Sequence, residues 1–259
     1  MNDRFKIDLS ERFQNLPHAP IVEAVIDVRA RAEGAWVEQG VRRHFEQILS
    51  GYAYLDSQQT FQGEFEIKAG QPPRQSVREL GLKGVRFRST DERHIAQFNR
   101  DGFVFSRLQP YESWEQLSRE ATRLWQFYAE LARPTEIQRV GVRYINRIQL
   151  PQRELQFEDY IEPAPQPPRG LALPFGGFMH QDTLGVPGYS YAINVIRTVQ
   201  IPPNLESEGI ALVLDIDVFT LQAFNLGKDA IEQRLQEMRW LKNKVFFGSI
   251  TKKALERFQ

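Results

Sequence analysis

The sequence predicts an α+β fold, a mostly antiparallel sheet with long helices packed on one face. Three observations carry this expectation. Long stretches alternate apolar and polar residues with period two between clusters of turn residues. Two segments place apolar residues at helical spacing over about 30 Å. The patterns also come as runs of strands followed by a long helix, an order that suits an antiparallel sheet better than repeated βαβ units.

The elements follow in order. Beyond Leu16-Pro17-His18-Ala19-Pro20, the stretch Ile21 to Val28 is β-branched and alternates, with Val22, Ala24, Ile26 and Val28 on one face and Glu23, Val25, Asp27 and Arg29 on the other. Val37, Val41, Phe45 and Ile48 recur at helical spacing, so Ala35 to Leu49 reads as an amphipathic helix stopped at Ser50-Gly51. From Tyr54 to Leu108 the period is two, broken at Gly70 to Pro73, at Thr90 to Glu92 and at Asn99 to Gly102. Asp101-Gly102 is the sharpest hairpin signal in the chain. Ser113 to Ala132 then sets Trp114, Leu117, Ala121, Leu124, Tyr128 and Leu131 on one stripe, and Pro134 ends that helix. The next strand is Arg139 to Ile148, RVGVRYINRI.

Leu150 to Pro174 contains six prolines, so residues 151–174 are expected to link an N-terminal half, 1–150, to a C-terminal half, 175–259, the two packing as one globular unit. Within the second half, Tyr189 to Gln200 and Ile210 to Leu221 read as strands. Asp229 to Gly248 reads as a helix with Ile231, Leu235, Met238, Leu241 and Val245 inward. A Thr251 N-cap opens a short last helix, Lys252 to Phe258. Both halves set several strands before one long helix, which raises the idea of a duplicated strand-strand-strand-helix unit. Leu117, Leu124, Leu235 and Val245 are the expected core markers.

Composition narrows the function classes. The 259 residues balance 33 Lys and Arg against 33 Asp and Glu, so no global field attracts a polyanion and nucleic acid is not implied. The chain has no cysteine, which removes disulfides, thiolate catalysis and most structural zinc sites. MNDRFKIDLSERF is charged throughout, with neither a signal peptide nor an anchor in it, so a cytoplasmic, membrane-free protein is expected. His18, His44, His94 and His180 have no metal-ligand spacing, and nucleotide-binding glycine loops and the nucleophile elbow are missing, so no cofactor or metal is expected. Trp36, Trp114, Trp125 and Trp240 all fall in expected helices, where core packing accounts for them. The glycine-rich Pro174 to His180 reads as a connector or as a loop over a ligand.

One strand face holds Arg139, Arg143 and Arg147, opposite Val140, Val142, Tyr144 and Ile148. Two other strands present acids in the same way, Glu23 with Asp27 and Asp215 with Asp217. Cross-strand ion pairs would explain all three arginines, each pair contributing roughly 0.2–1 kcal/mol. The same face could instead hold an anion, with Asp215 or Asp217 serving a metal or a proton transfer. Asn146 falls among the apolar residues of its strand, where a buried amide needs partners. Two functions from different classes follow. One is a non-catalytic binding protein with a protein partner or a second copy of itself; the other is an enzyme or sensor for a small anionic ligand, using the arginine face.

Three stretches, LPHAPIVEAVIDV, RVGVRYINRI and VFFGSITKKALERF, together resemble the signature regions of a sporadically distributed family of bacterial and archaeal proteins of this length, defined by sequence and without an assigned function. The resemblance spans most of the chain and carries over no catalytic residues. Sporadic distribution implies accessory genes of the toxin–antitoxin, immunity or phage-defence kind.

Overall fold

A computed structural model describes residues 5–34, 36–66, 74–150, 156–168, 170, 173, 177–200, 209–225 and 228–259. Its first strand, β1 (Ile21–Arg29), buries Ala24, Ile26 and Val28 and turns Glu23 and Asp27 to the other side, as the alternation requires. Helix α1 (Glu38–Ile48) buries Val41 and Phe45, and Phe45 stacks on Phe98 with ring centroids 3.8 Å apart. The helix starts later than its apolar spacing suggests. Val37 is exposed at the N-cap, and Trp36 precedes the helix, its ring 5.8 Å from that of Tyr128.

The period-two region forms four strands, β2 (Tyr52–Glu66), β3 (Arg74–Ser89), β4 (His94–Asn99) and β5 (Gly102–Leu108). The turn expected at Gly70 to Pro73 lies outside the described residues. At the β4–β5 hairpin, Gly102 has φ +151°, and a Cβ there would run into the Val28 carbonyl oxygen, so glycine is required both by the turn and by the close approach of β1. Helix α2 (Trp114–Ala132) begins at Ser113, whose hydroxyl accepts a hydrogen bond from the Gln116 amide at 3.2 Å. It ends in a left-handed Arg133 before Pro134. Its buried stripe is Trp114, Leu117, Ala121, Leu124, Trp125, Tyr128 and Ala132, while Leu131 is only partly covered.

A short strand β6 (Glu136–Ile137) precedes β7 (Arg139–Gln149). The proline-rich segment is described in part: Phe157 starts a 3-10 turn and is buried, and Ile161 bridges to Ile250, while residues 151–155 lie outside the described ones. The loop expected at Pro174 to His180 does not extend over its last two residues. Pro174, Phe175 and Gly176 lie outside the described residues, but Met179 and His180 open strand β8 (Met179–Gly185). This strand escaped the sequence pattern because its side chains are almost all exposed and so lack an apolar face.

Strands β9 (Tyr191–Gln200), β10 (Ala211–Thr220) and β11 (Phe224–Asn225) lead to helix α3 (Lys228–Ser249) and the short α4 (Lys252–Leu255), whose Thr251 N-cap accepts from the Ala254 amide at 3.1 Å. Leu235, Met238 and Leu241 are buried on α3, but Val245 is only partly covered and Phe246 is buried instead. The reason is geometric: the inward line through Leu235 and Met238 reaches Lys242 and Phe246 at the next helical spacings, which leaves Val245 on its flank.

Among the described residues nine strands pair antiparallel in the order β2-β3-β4-β5-β1-β7-β10-β9-β8, and β6 pairs with β11 apart from them. The fold is α+β. Strands from both halves of the chain meet where β1 pairs β7 and β7 pairs β10, so the arginine strand lies inside the sheet, flanked by the two acidic strands. One apolar layer runs across these strands through Phe103, Phe105, Ile26, Val142, Ile216 and Leu214, all 0–1% exposed. Phe45 of α1 meets Phe87 and Phe98 of the sheet, Trp125 and Tyr128 of α2 meet Phe103, and Lys242 of α3 covers the ring of Tyr144.

Candidate functional site

Residue alternation on β7 separates two environments. Arg139, Arg143 and Arg147 share one face with Glu23, Asp27, Asp215 and Asp217 of the neighbouring strands. Val140, Val142, Tyr144, Asn146 and Ile148 point the other way and are at most 2% exposed.

Arg139 is the most enclosed of the three arginines. It donates to Asp27 in a very short contact and to Asp217 at 3.0 Å, and its guanidinium lies 4.8 Å from the Phe219 ring centroid. Gly141 makes room for this cluster: a Cβ there would lie 2.7 Å from the Arg139 Nη1 and 2.8 Å from the Asp27 carboxylate. Burial lowers the pKa of Arg139 and raises that of Asp217, in each case against the attraction of the partner. Both are pushed toward their neutral forms, as happens when desolvation outweighs what the pair recovers.

Arg143 behaves differently. Its Nε and Nη2 donate to the two oxygens of Asp215 at 2.8 and 2.5 Å, a fork matched to a carboxylate. That hydrogen bond raises its pKa, although the side chain is 47% exposed. Glu23 acts on Arg143 only through space and makes no ion pair with it. Arg147 departs from the expectation of a carboxylate partner, since it donates to the amide oxygens of Gln200 at 3.2 Å and Gln149 at 3.1 Å. On β10 the residue directly opposite Arg147 is Val213, and Asp215, diagonal to both Arg143 and Arg147, is taken by Arg143.

Asn146 does not join the arginines. It faces the apolar side, donates to the Leu214 carbonyl at 2.9 Å, and lines a cavity with Lys242 and Phe246. The three sequence stretches that stood out together converge here. The Arg147 amide donates to the Pro20 carbonyl at 2.8 Å, the His18 amide donates to the Phe258 carbonyl at 3.0 Å, and Leu16, Ile21, Phe246 and Phe247 line the same cavity.

Asp215 and Asp217 are both held by arginines, and among the described residues no three His, Cys, Asp or Glu side chains gather as a metal ion requires. Sequence inspection missed two buried cations. Arg107 bonds Glu112 at 2.7 Å and the Pro110 carbonyl at 3.0 Å, and Arg197 bonds Asp182 at 2.5 Å. Their signal was an arginine at an inward position of an otherwise apolar alternation. No helix of the described residues is long and apolar enough to cross a membrane. No family model, curated protein or solved structure matches the chain, so function is read from these contacts alone.

Proposed function

We propose that the protein is a non-catalytic, cytoplasmic binding protein that recognises another protein, acting as an accessory of the antitoxin, immunity or phage-defence kind within the sporadic family its sequence resembles. On this reading the long helices cover one face of the sheet, and each half of the chain contributes a strand-strand-strand-helix unit. The other face and its outer strands are left for a partner. The observation that carries the reading is the β2–β3 ribbon. These strands pair with each other from Tyr52 and Ser89 out to Glu66 and Arg74, whereas β4 covers β3 only from Gly84 to Arg88. The rest of the ribbon therefore projects with one edge of β3 free of β4, and it exposes Phe61 at 60% and Val77 at 63%. An apolar side chain on a free strand edge suits strand addition by a partner chain.

The alternative, an enzyme or sensor gripping a small anion on the arginine face, is weakened by the contacts of that face. Arg139 and Arg143 are matched by carboxylates, and Arg147 by amides. A photo-crosslinking residue at position 61 tests the proposal. It should trap a distinct protein in the producing cell, and Val77→Asp should abolish the trapped product without moving the melting curve. Trapping of a second copy of the same chain would assign the ribbon to self-association. A product unaffected by Val77→Asp, or no product at all, would overturn the role of the ribbon.

A further inference from the structure

The cavity under Asn146 has a volume of about 200 Å³. Its floor is the apolar side of β7, one wall is α3, and the other is the stretch from Gln14 to Ile21. Lys242 enters it from the inward line of α3, where a stripe of apolar residues would place another apolar side chain. The Lys242 Nζ lies 3.9 Å from the ring centroid of Tyr144, and the Tyr144 hydroxyl lies 2.9 Å from that of Tyr111. Among the described residues, no carboxylate forms an ion pair with Lys242.

That sets Lys242 apart from the other enclosed cations. Arg107, with a side chain 5% exposed, has Glu112; Arg197, at 9%, has Asp182; Arg139, at 19%, has Asp27 and Asp217. Lys242 is half-buried against this cavity without a counter-ion, and the cost of that partial desolvation is met by neutralisation or by a ligand that brings the missing charge. We propose that this cavity binds a small monocarboxylic acid, its carboxylate supplying the counter-ion that Lys242 lacks and its apolar body lying against Ile21, Phe246 and Phe247.

Size and polarity fit such a ligand. The cavity is smaller than the 300–1,000 Å³ or so of drug-sized sites, and the side-chain amides of Gln14 and Asn15 supply polar groups beside the apolar wall, while the Glu112 carboxylate on the same lining is held by Arg107 at 2.7 Å. Titration fits as well. Burial, with Arg239 adding to it, pushes the Lys242 amine down to about 7. The two phenols beside it stay protonated near neutrality, and the charged groups around it are paired. Burial pushes Tyr111 up to about 12 and Tyr144 well above the ordinary range, Glu112 is paired with Arg107 at 2.7 Å and Arg93 at 3.6 Å, and Arg239 is paired with Glu115 at 3.0 Å. An entering carboxylate favours the ammonium, so binding draws a proton onto Lys242 from solvent.

Calorimetric titration of the full chain with benzoate and with hexanoate, in buffers of different ionisation enthalpy, measures affinity and proton uptake together. The expected result is one site, uptake of about one proton at pH 8, and a Kd that weakens about tenfold per pH unit above that. Lys242→Met should lose binding while its circular dichroism and melting curve stay those of a folded chain. If that variant does not fold, the proton uptake and pH dependence of the wild type decide the matter alone. Benzamide binding as tightly as benzoate, binding without proton uptake, or no binding of either acid at pH 7 would overturn the proposal.

Discussion

The two faces of β7 are built from the same eleven-residue strand and stabilise the molecule by different means. On one side Val140, Val142, Tyr144 and Ile148 are withdrawn from water almost completely, so their contribution scales with apolar area and packing. On the other side the arginines keep 19–47% of their side-chain exposure where they pair with acids. Their contribution depends on which oxygen stands opposite which nitrogen. Charge pairing thus gives this face specificity of register more than stability. A one-residue slip of β7 would bury the arginines in the apolar layer and expose Tyr144, so the charged face guards the pairing that the apolar face makes favourable.

The largest expected effect falls on the apolar side. Leu124 is fully buried in α2, so Leu124→Ala should cost about 2–5 kcal/mol in denaturant unfolding. A loss well under that would mean that the helix packs loosely and that the contrast between the faces is overstated. The enclosed end of the charged face comes next. Arg139→Ala leaves Asp27 and Asp217 without their shared donor, and a loss of about 1–3 kcal/mol is expected from charge-assisted hydrogen bonds in a half-buried site. Arg143→Ala should cost no more than ~1 kcal/mol, because its fork to Asp215 is half-exposed and screened. Equal losses for the two arginines would erase the distinction between the enclosed and the open end of the row.

Much of this was legible in the sequence, and the parts that were not share a cause. Alternation announces which side of a strand is buried, and it placed Ala24, Ile26, Val142 and Ile216 correctly in the core. It carries no information about register or diagonal reach: Asp217 stands opposite Arg143, yet Arg143 bonds Asp215 on the diagonal, while Arg147 meets glutamines. The edge strand Met179–Gly185 was invisible because neither of its sides is buried enough to select apolar residues. Gly141 and Lys242 were legible in principle. A glycine inside a strand marks a close approach, here that of the Arg139–Asp27 pair, and a lysine at an inward helical position marks a cavity. Pattern reading passed over both because it counts apolar residues, not the exceptions among them.

The smallest effect is a trend with pH. Burial raises the pKa of Asp217 above its ordinary value of 3.8, so as pH falls from neutral the folded chain takes up a proton there before the unfolded chain does. The contribution of Asp217 to stability is therefore greatest below the unfolded pKa and is lost as pH rises through the folded one. Comparing wild type with Asp217→Asn by urea unfolding isolates this residue from the carboxylates that behave in the opposite way. Asp56 and Glu120, whose pKa values are lowered by hydrogen bonds to Arg86 and Arg123, weaken the fold as pH falls, but they do so equally in both chains. The stability of the wild type relative to Asp217→Asn should thus increase between pH 7 and pH 4.5 by less than about 1 kcal/mol. A difference that shrinks over that interval would mean that Arg139 holds Asp217 as a favourable ion pair, and that the enclosed end of the arginine row stabilises the fold as the open end does.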